Sequence, residues 1–300
     1  MQERRWAGVF PALTTQFHAD ESLDLEATCR HAELLLAAGV HGLIVLGSLG
    51  ENATLDAGEK LDVVRAVKAT ARGRVPVLSG VAETSTRQAC RYAAAAAAAG
   101  ADGLMVLPAM IYKADAREAL AHFRAVAAAA PVPIMLYNNP VSYGVDLRPE
   151  QLLELADEPR FVAIKESSDN VRRVTDLKNA LGDRWQIFCG VDDLALESAM
   201  LGAVGWVAGM VNAFPRETLR LWELAQAGRF ADALPLYRWF TPLLHLDTEV
   251  KLVQHIKLAV ARVGWGRETV RAPRLPLAGP ERDRVINLLD QALQSRPKLA

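Results

Sequence analysis

Eight times along the chain, a short β-branched apolar run is followed by a polar or glycine-bearing turn and then by a longer segment whose apolar residues recur at helical spacing. The runs fall at 8–13, 42–46, 75–79, 103–107, 133–137, 161–165, 186–189 and 205–208. The helical segments lie near 24–38, 57–71, 85–99, 115–130, 149–157, 170–181, 192–202 and 215–227. Such alternation restricts the fold to parallel-sheet architectures, because each strand needs a crossover helix before the next can run in the same direction. Runs such as GLIVLG and GLMVLP are almost continuously apolar, which suits strands covered by helices on one face and packed by side chains on the other. Asp56 ahead of AGEK, Pro149 followed by Glu150, and the glycines Gly39, Gly73 and Gly100 punctuate the helices. Eight such units favour a closed (β/α)₈ TIM barrel over an open, doubly wound α/β sheet.

Helical patterns continue beyond the eighth unit, near 229–245, 249–263 and 280–294, the last after the proline-rich stretch APRLPLAGP. No linker-like composition sets them apart, so the expected organisation is a barrel over 1–228 with a C-terminal helical extension over 229–300 packed on it. With 51% hydrophobic and 23% charged residues in 300, the chain can bury a large core.

A formal net charge of -1, with Lys and Arg dispersed along the chain, leaves no basic stripe for nucleic acid. The longest apolar run, Ala93 to Ala99, falls far short of the roughly 20 residues a membrane span requires. The opening MQERRWAGVFPALTT has no apolar signal core, and Cys29, Cys90 and Cys189 stand far apart. These features suggest a cytoplasmic protein with buried thiols and a small-molecule partner. His18, His31, His41, His122, His245 and His255 show no metal-binding spacing, and no phosphate-binding glycine motif follows a strand, so neither metal nor cofactor is expected.

Barrels of this kind build their active sites at the C-terminal ends of the strands. The polar residues there are Thr14, Thr15, Ser48, Glu83, Tyr112, Tyr137, Lys165, Asp192 and Asp193 beside Gly190, and Asn212. Lys165 closes the strand FVAIK, where desolvation would lower its pKa and leave the neutral amine that Schiff-base chemistry needs. The alternative is a strand-end lysine paired with a carboxylate such as Glu166. Tyr137 ends the preceding strand and suits proton transfer at the same centre, unless it is a core tyrosine. Gly47-Ser48-Leu49-Gly50-Glu51 would let backbone N–H groups approach a carboxylate, although glycines at a strand exit also serve simple turns. Asp192 and Asp193 read chiefly as a helix N-terminal cap, and His245, Asp247 and His255 as packing or subunit contacts.

Taken together, GSLGEN at 47–52, YNNP at 137–140, IKESS at 164–168 and FCGVDD at 188–193 resemble the dihydrodipicolinate synthase and N-acetylneuraminate lyase family over nearly the whole chain. The resemblance implies that Lys165 is the Schiff-base lysine, Tyr137 its proton shuttle, and Ser48 with the Leu49 amide the clamp for a substrate 2-carboxylate. It implies further that Tyr112, in PAMIYK, reaches into a neighbouring subunit to complete a hydroxyl relay, and hence a homo-oligomer, usually a dimer of dimers. Ser167, Gly190, Asp192 and Asp193 become candidate contacts for the far end of the substrate.

Two departures bear on substrate choice. The family's synthases carry threonine where this chain has Leu49, and an arginine for the second substrate's carboxylate where it has Ser142. The pattern GVFPALTTQF, GSLGEN, YNNPVSYGVDL and LDTEVKLVQHIKLA is most similar to the Δ1-pyrroline-4-hydroxy-2-carboxylate deaminase branch. That implies deamination of this cyclic imine to 2-oxoglutarate semialdehyde and ammonia. The alternatives are a 2-keto-3-deoxy sugar acid aldolase or dehydratase, a 4-hydroxy-tetrahydrodipicolinate synthase, and a catalytically silent ligand-binding barrel.

Overall fold

A computed structural model describes residues 6–299. Its eight strands are β1 (Gly8–Pro11), β2 (Leu43–Val45), β3 (Val77–Val81), β4 (Gly103–Val106), β5 (Ile134–Asn138), β6 (Phe161–Glu166), β7 (Gln186–Cys189) and β8 (Gly205–Ala208). All neighbouring pairs run parallel, in the order β1-β8-β7-β6-β5-β4-β3-β2. The seam between β1 and β2 is closed by a parallel bridge between Ala12 and Ile44, with the Leu13 amide donating to the Ile44 carbonyl at 2.8 Å. The fold is therefore the (β/α)₈ barrel expected from the alternation, with helices between the strands. Side chains fill its interior; Phe10 and Phe188, for example, meet edge to face at 5.2 Å.

Among the elements that differ from the sequence reading, two do so for a clear local reason. The third strand begins at Val77 instead of residue 75, because Pro76 has no N–H to donate to the ladder. The helix expected over 149–157 resolves into a short turn, Pro149–Leu152, and a 3₁₀ turn, Leu153–Leu155. Leu152 and Leu155, both buried and three apart, stack on one side of a 3₁₀ turn, where residues i and i+3 eclipse.

The extension contains helices Phe230–Leu244, Leu252–Arg262 and Gly279–Gln294. It is tied down by polar contacts as well as apolar ones. Lys257 donates to the Glu51 carboxylate and to the Thr15 carbonyl, both at 2.8 Å. Arg271 binds both Glu59 oxygens and the Glu21 carbonyl. The 3₁₀ turn His245–Asp247, between the first two of these helices, lies against the ends of β7 and β8 and brings the extension to the barrel mouth. Among the described residues, no helix is long and apolar enough to cross a membrane.

Candidate active site

Parallel register places Tyr137 of β5 directly beside Lys165 of β6, with Phe188 of β7 on the other side. Paired residues in a sheet share a face, so the lysine and the tyrosine both point into the mouth of the barrel. The Lys165 ammonium sits 4.1 Å from the centroid of the Tyr137 ring, within cation–π range. Burial pushes the amine below the ordinary lysine range, opposed by the charge of Asp247 and, more weakly, by Tyr143 and Asp192. Glu166, the pairing partner considered from the sequence, instead accepts from Asn138 and from the Ser168 amide. Gly190 makes room for this arrangement. A Cβ there would lie 2.6 Å from Lys165 Cε and 2.0 Å from Ser167 Oγ, so only glycine leaves the lysine its path to the mouth.

The cavity above Lys165 has a volume of about 410 Å³. Ser48, Leu49, Tyr137, Ser167 and Gly190 all line it. The Ser48 loop is held from below. The Asn52 side chain donates to the Leu46 carbonyl at 2.9 Å and Thr15 to the Gly50 carbonyl at 2.7 Å. The Leu49 amide donates to no backbone carbonyl among the described residues, and the buried Ser167 hydroxyl has only the Tyr137 phenol beside it. Both are polar groups with capacity left for a ligand.

Tyr143 is a lining residue the sequence reading did not single out. Asn139 caps a one-turn helix, Pro140–Tyr143, which stops at Gly144 in the left-handed region. This tight turn folds Tyr143 back over Tyr137, the rings meeting at 5.8 Å and 85°. The Tyr143 hydroxyl hydrogen-bonds to Ser48. Burial raises the Tyr137 phenol to about 12, against the pull of a 3.0 Å hydrogen bond from Asn139, and raises Tyr143 as well. The signal was present in the asparagine–proline pair and the glycine that bracket the turn.

The acidic residues are placed differently from the sequence reading. Asp192 and Asp193 do not line the cavity. Fully buried Asp192 accepts from the amides of Gly209 and Met210 and from the Trp206 indole. Instead of capping its own helix, it anchors the turn that follows β8. Asp193 pairs with His245 at 2.6 Å. Asp247, expected to make only packing or subunit contacts, lines the cavity instead, delivered by the extension. Burial, reinforced by the nearby Asp192 charge, raises its carboxyl well above the usual range. Its Oδ1 packs so closely on Gly209 that a Cβ there would sit 2.2 Å away.

The remaining strand-end residues are committed elsewhere. Glu83 pairs with Lys60 at 2.7 Å. The Asn212 amide donates to the carbonyls of Ala12 and Gly209. Thr14 contacts His31 at 3.2 Å. Tyr112 lies outside its own chain's cavity, 61% exposed, with its hydroxyl bonded to both Glu118 oxygens at 3.1 Å.

The chain as a whole is similar to known proteins. Residues 5–292 match the model of the dihydrodipicolinate synthetase family. A 4-hydroxy-tetrahydrodipicolinate synthase of Sorangium cellulosum (strain So ce56) is 37% identical over 287 residues, 95% of each chain. A dihydrodipicolinate synthase from Acinetobacter baumannii, solved with pyruvate, superposes with a TM-score of 0.91 at 28% identity, covering 95% of this chain and 98% of that one. A prophage protein of the dihydrodipicolinic acid synthase family from E. coli K12, also with pyruvate, gives 0.90 at 29% identity, over 96% and 99%. The sequence relative carries the synthase name, whereas the sequence reading favoured the deaminase branch. The chain belongs to the dihydrodipicolinate synthetase family, whose members are Schiff-base lysine lyases.

Proposed function

We propose that this chain forms a Schiff base through Lys165 with a substrate bearing a single 2-carboxylate, and that it deaminates Δ1-pyrroline-4-hydroxy-2-carboxylate. The observation that carries this reading is the charge of the cavity. Lys165 is the one basic residue among the described lining residues, set against Asp169, Asp247 and Glu249. A substrate carboxylate can be received by the Ser48 hydroxyl and the Leu49 amide, but no second cation awaits another. Ser142, which lines the cavity, stands where the family's synthases place an arginine.

In this reading the neutral Lys165 amine adds to C2 of the cyclic imine, and the ring nitrogen leaves as the open-chain amine. Tyr137 shuttles the protons of these steps and withdraws one from C3. The imine stores the resulting electron pair while the 4-hydroxyl departs as water. Asp247, whose carboxyl burial raises, lines the cavity close enough to act on Lys165 and can donate a proton to that hydroxyl. Tautomerisation carries the double bond to the amine-bearing carbon. Hydrolysis at both ends then releases ammonia and 2-oxoglutarate semialdehyde and returns the lysine. We also take the working form to be a cytoplasmic homo-oligomer.

The synthase reading is favoured by the name of the 37%-identical relative. Incubation of the purified protein with Δ1-pyrroline-4-hydroxy-2-carboxylate, with coupled dehydrogenases reporting the semialdehyde, separates the two. Stoichiometric ammonia and semialdehyde support deamination. No release, alongside condensation of pyruvate with the synthase's second substrate, assigns the chain to synthesis. Silence in both, with pyruvate still trapped on Lys165, directs the search to sugar-acid aldolase and dehydratase substrates.

A further inference from the structure

We infer that Tyr143 is a member of the hydroxyl relay of this active site, standing between Ser48 and Tyr137 and passing protons from one to the other. The inference rests on the Schiff-base reading of Lys165. Its basis is geometric. The Tyr143 hydroxyl bonds to Ser48, its ring packs edge to face on Tyr137, and Tyr137 in turn lies under the Lys165 ammonium.

The short turn makes the placement rigid. The Asn139 side chain accepts from the Ser142 amide at 2.9 Å, Pro140 fixes the first helical position, and the Gly144 amide closes the turn on the Pro140 carbonyl at 2.9 Å. Tyr143 thus has little freedom to leave Ser48, which sits on a loop fixed separately by Thr15 and Asn52.

The relay has a definite task. When the Lys165 amine adds to the substrate carbon, an N–C bond forms, the C=N or C=O π bond opens, and a proton must pass from the lysine nitrogen to the departing nitrogen or oxygen. When a carbinolamine loses water, the C–O bond breaks and Tyr137 gives its proton to the leaving hydroxyl. Tyr137 regains a proton from Tyr143, Tyr143 from Ser48, and Ser48 from water in the open cavity. Burial disfavours a free phenolate on either tyrosine. A hydrogen-bonded chain lets the proton move without fully forming one. Tyr143 is on this account a positioning residue that acts through Tyr137.

The test compares Tyr143→Phe, which keeps the ring, with the wild type in the full-length protein. Imine formation is read as the rate at which borohydride traps pyruvate, and turnover as kcat and KM on the best substrate found. The relay requires Tyr143→Phe to slow trapping and kcat by about 10²-fold. KM should stay within about threefold and the solvent hydrogen isotope effect on kcat should change, neither of which a simple packing defect produces. Wild-type rates in Tyr143→Phe would overturn the relay while leaving the lysine chemistry standing. Absence of trapping in the wild-type protein would remove the Schiff-base reading, and the relay with it.

Discussion

Lys257 and Glu51 meet at 2.8 Å with neither side chain reaching solvent, one from the C-terminal extension and the other from the loop that carries Ser48. Glu51 holds a left-handed backbone conformation and also accepts from the Arg271 amide. The active-site loop is therefore braced by the extension through a buried charge pair. Removing Lys257 leaves buried Glu51 with only the more distant Arg274, at 3.9 Å, and the Arg271 amide. Lys257→Met is expected to lower stability by about 3–5 kcal/mol, measured by urea unfolding. The double variant Lys257→Met with Glu51→Gln should recover part of that loss. A single variant as stable as the wild type would show that the pair does not brace the loop.

Asp192 gives a pH signature. Burial pushes its carboxyl up to about 6, against the pull of the Met210, Gly209 and Trp206 donors. The unfolded chain has an ordinary aspartate near 3.9. As pH falls through about 6, the folded state takes up a proton before the unfolded state does, so this group makes the protein more stable toward about pH 4 and less stable above about 6. Asp192→Asn should remove that slope. At neutral pH it should also cost about 2–3 kcal/mol, because its NH₂ group would confront an N–H donor. Melting temperatures of both proteins between pH 4 and 8 test the sign. Parallel curves would contradict it.

The barrel was legible in the sequence because the parallel-strand signal repeats eight times and each unit corroborates the others. The site was legible where a residue's position on its own strand decides its role. Lys165 and Tyr137 end adjacent strands, so sheet register alone brings them together. It was not legible where placement depends on a distant segment. Asp192 and Asp193 follow a strand and resemble a cap, yet their partners lie after β8 and in the extension. Asp247 arrives at the cavity only through the packing of the extension, which no local pattern reveals. Tyr143 stood within a quoted motif, but its direction depends on the tight turn before Gly144.

Asp247 should separate imine formation from later chemistry. Asp247→Asn is expected to keep trapping pyruvate on Lys165 while turnover of a 4-hydroxylated substrate falls by about 10²-fold. Single-turnover trapping and steady-state assays on the same preparation make the comparison. Equal losses in both would assign Asp247 to the lysine's environment instead of the leaving hydroxyl.

Ser142→Arg tests the charge argument for substrate choice. A guanidinium at this lining position supplies the second anion site that the cavity lacks. The variant should bind 2-oxo acids with a second carboxylate about tenfold more tightly, roughly 1.4 kcal/mol, and lose preference for the single-carboxylate imine. Competition by dicarboxylates against pyruvate trapping provides the readout. An unchanged ranking would mean that position 142 does not set specificity.

The most direct test of the central claim is borohydride reduction of the native protein in the presence of pyruvate, followed by peptide mass mapping. The account requires one stable reduced pyruvate adduct per chain, located on Lys165 and absent from Lys165→Ala. An adduct on another lysine, or none under conditions that trap a Schiff-base enzyme, would contradict it.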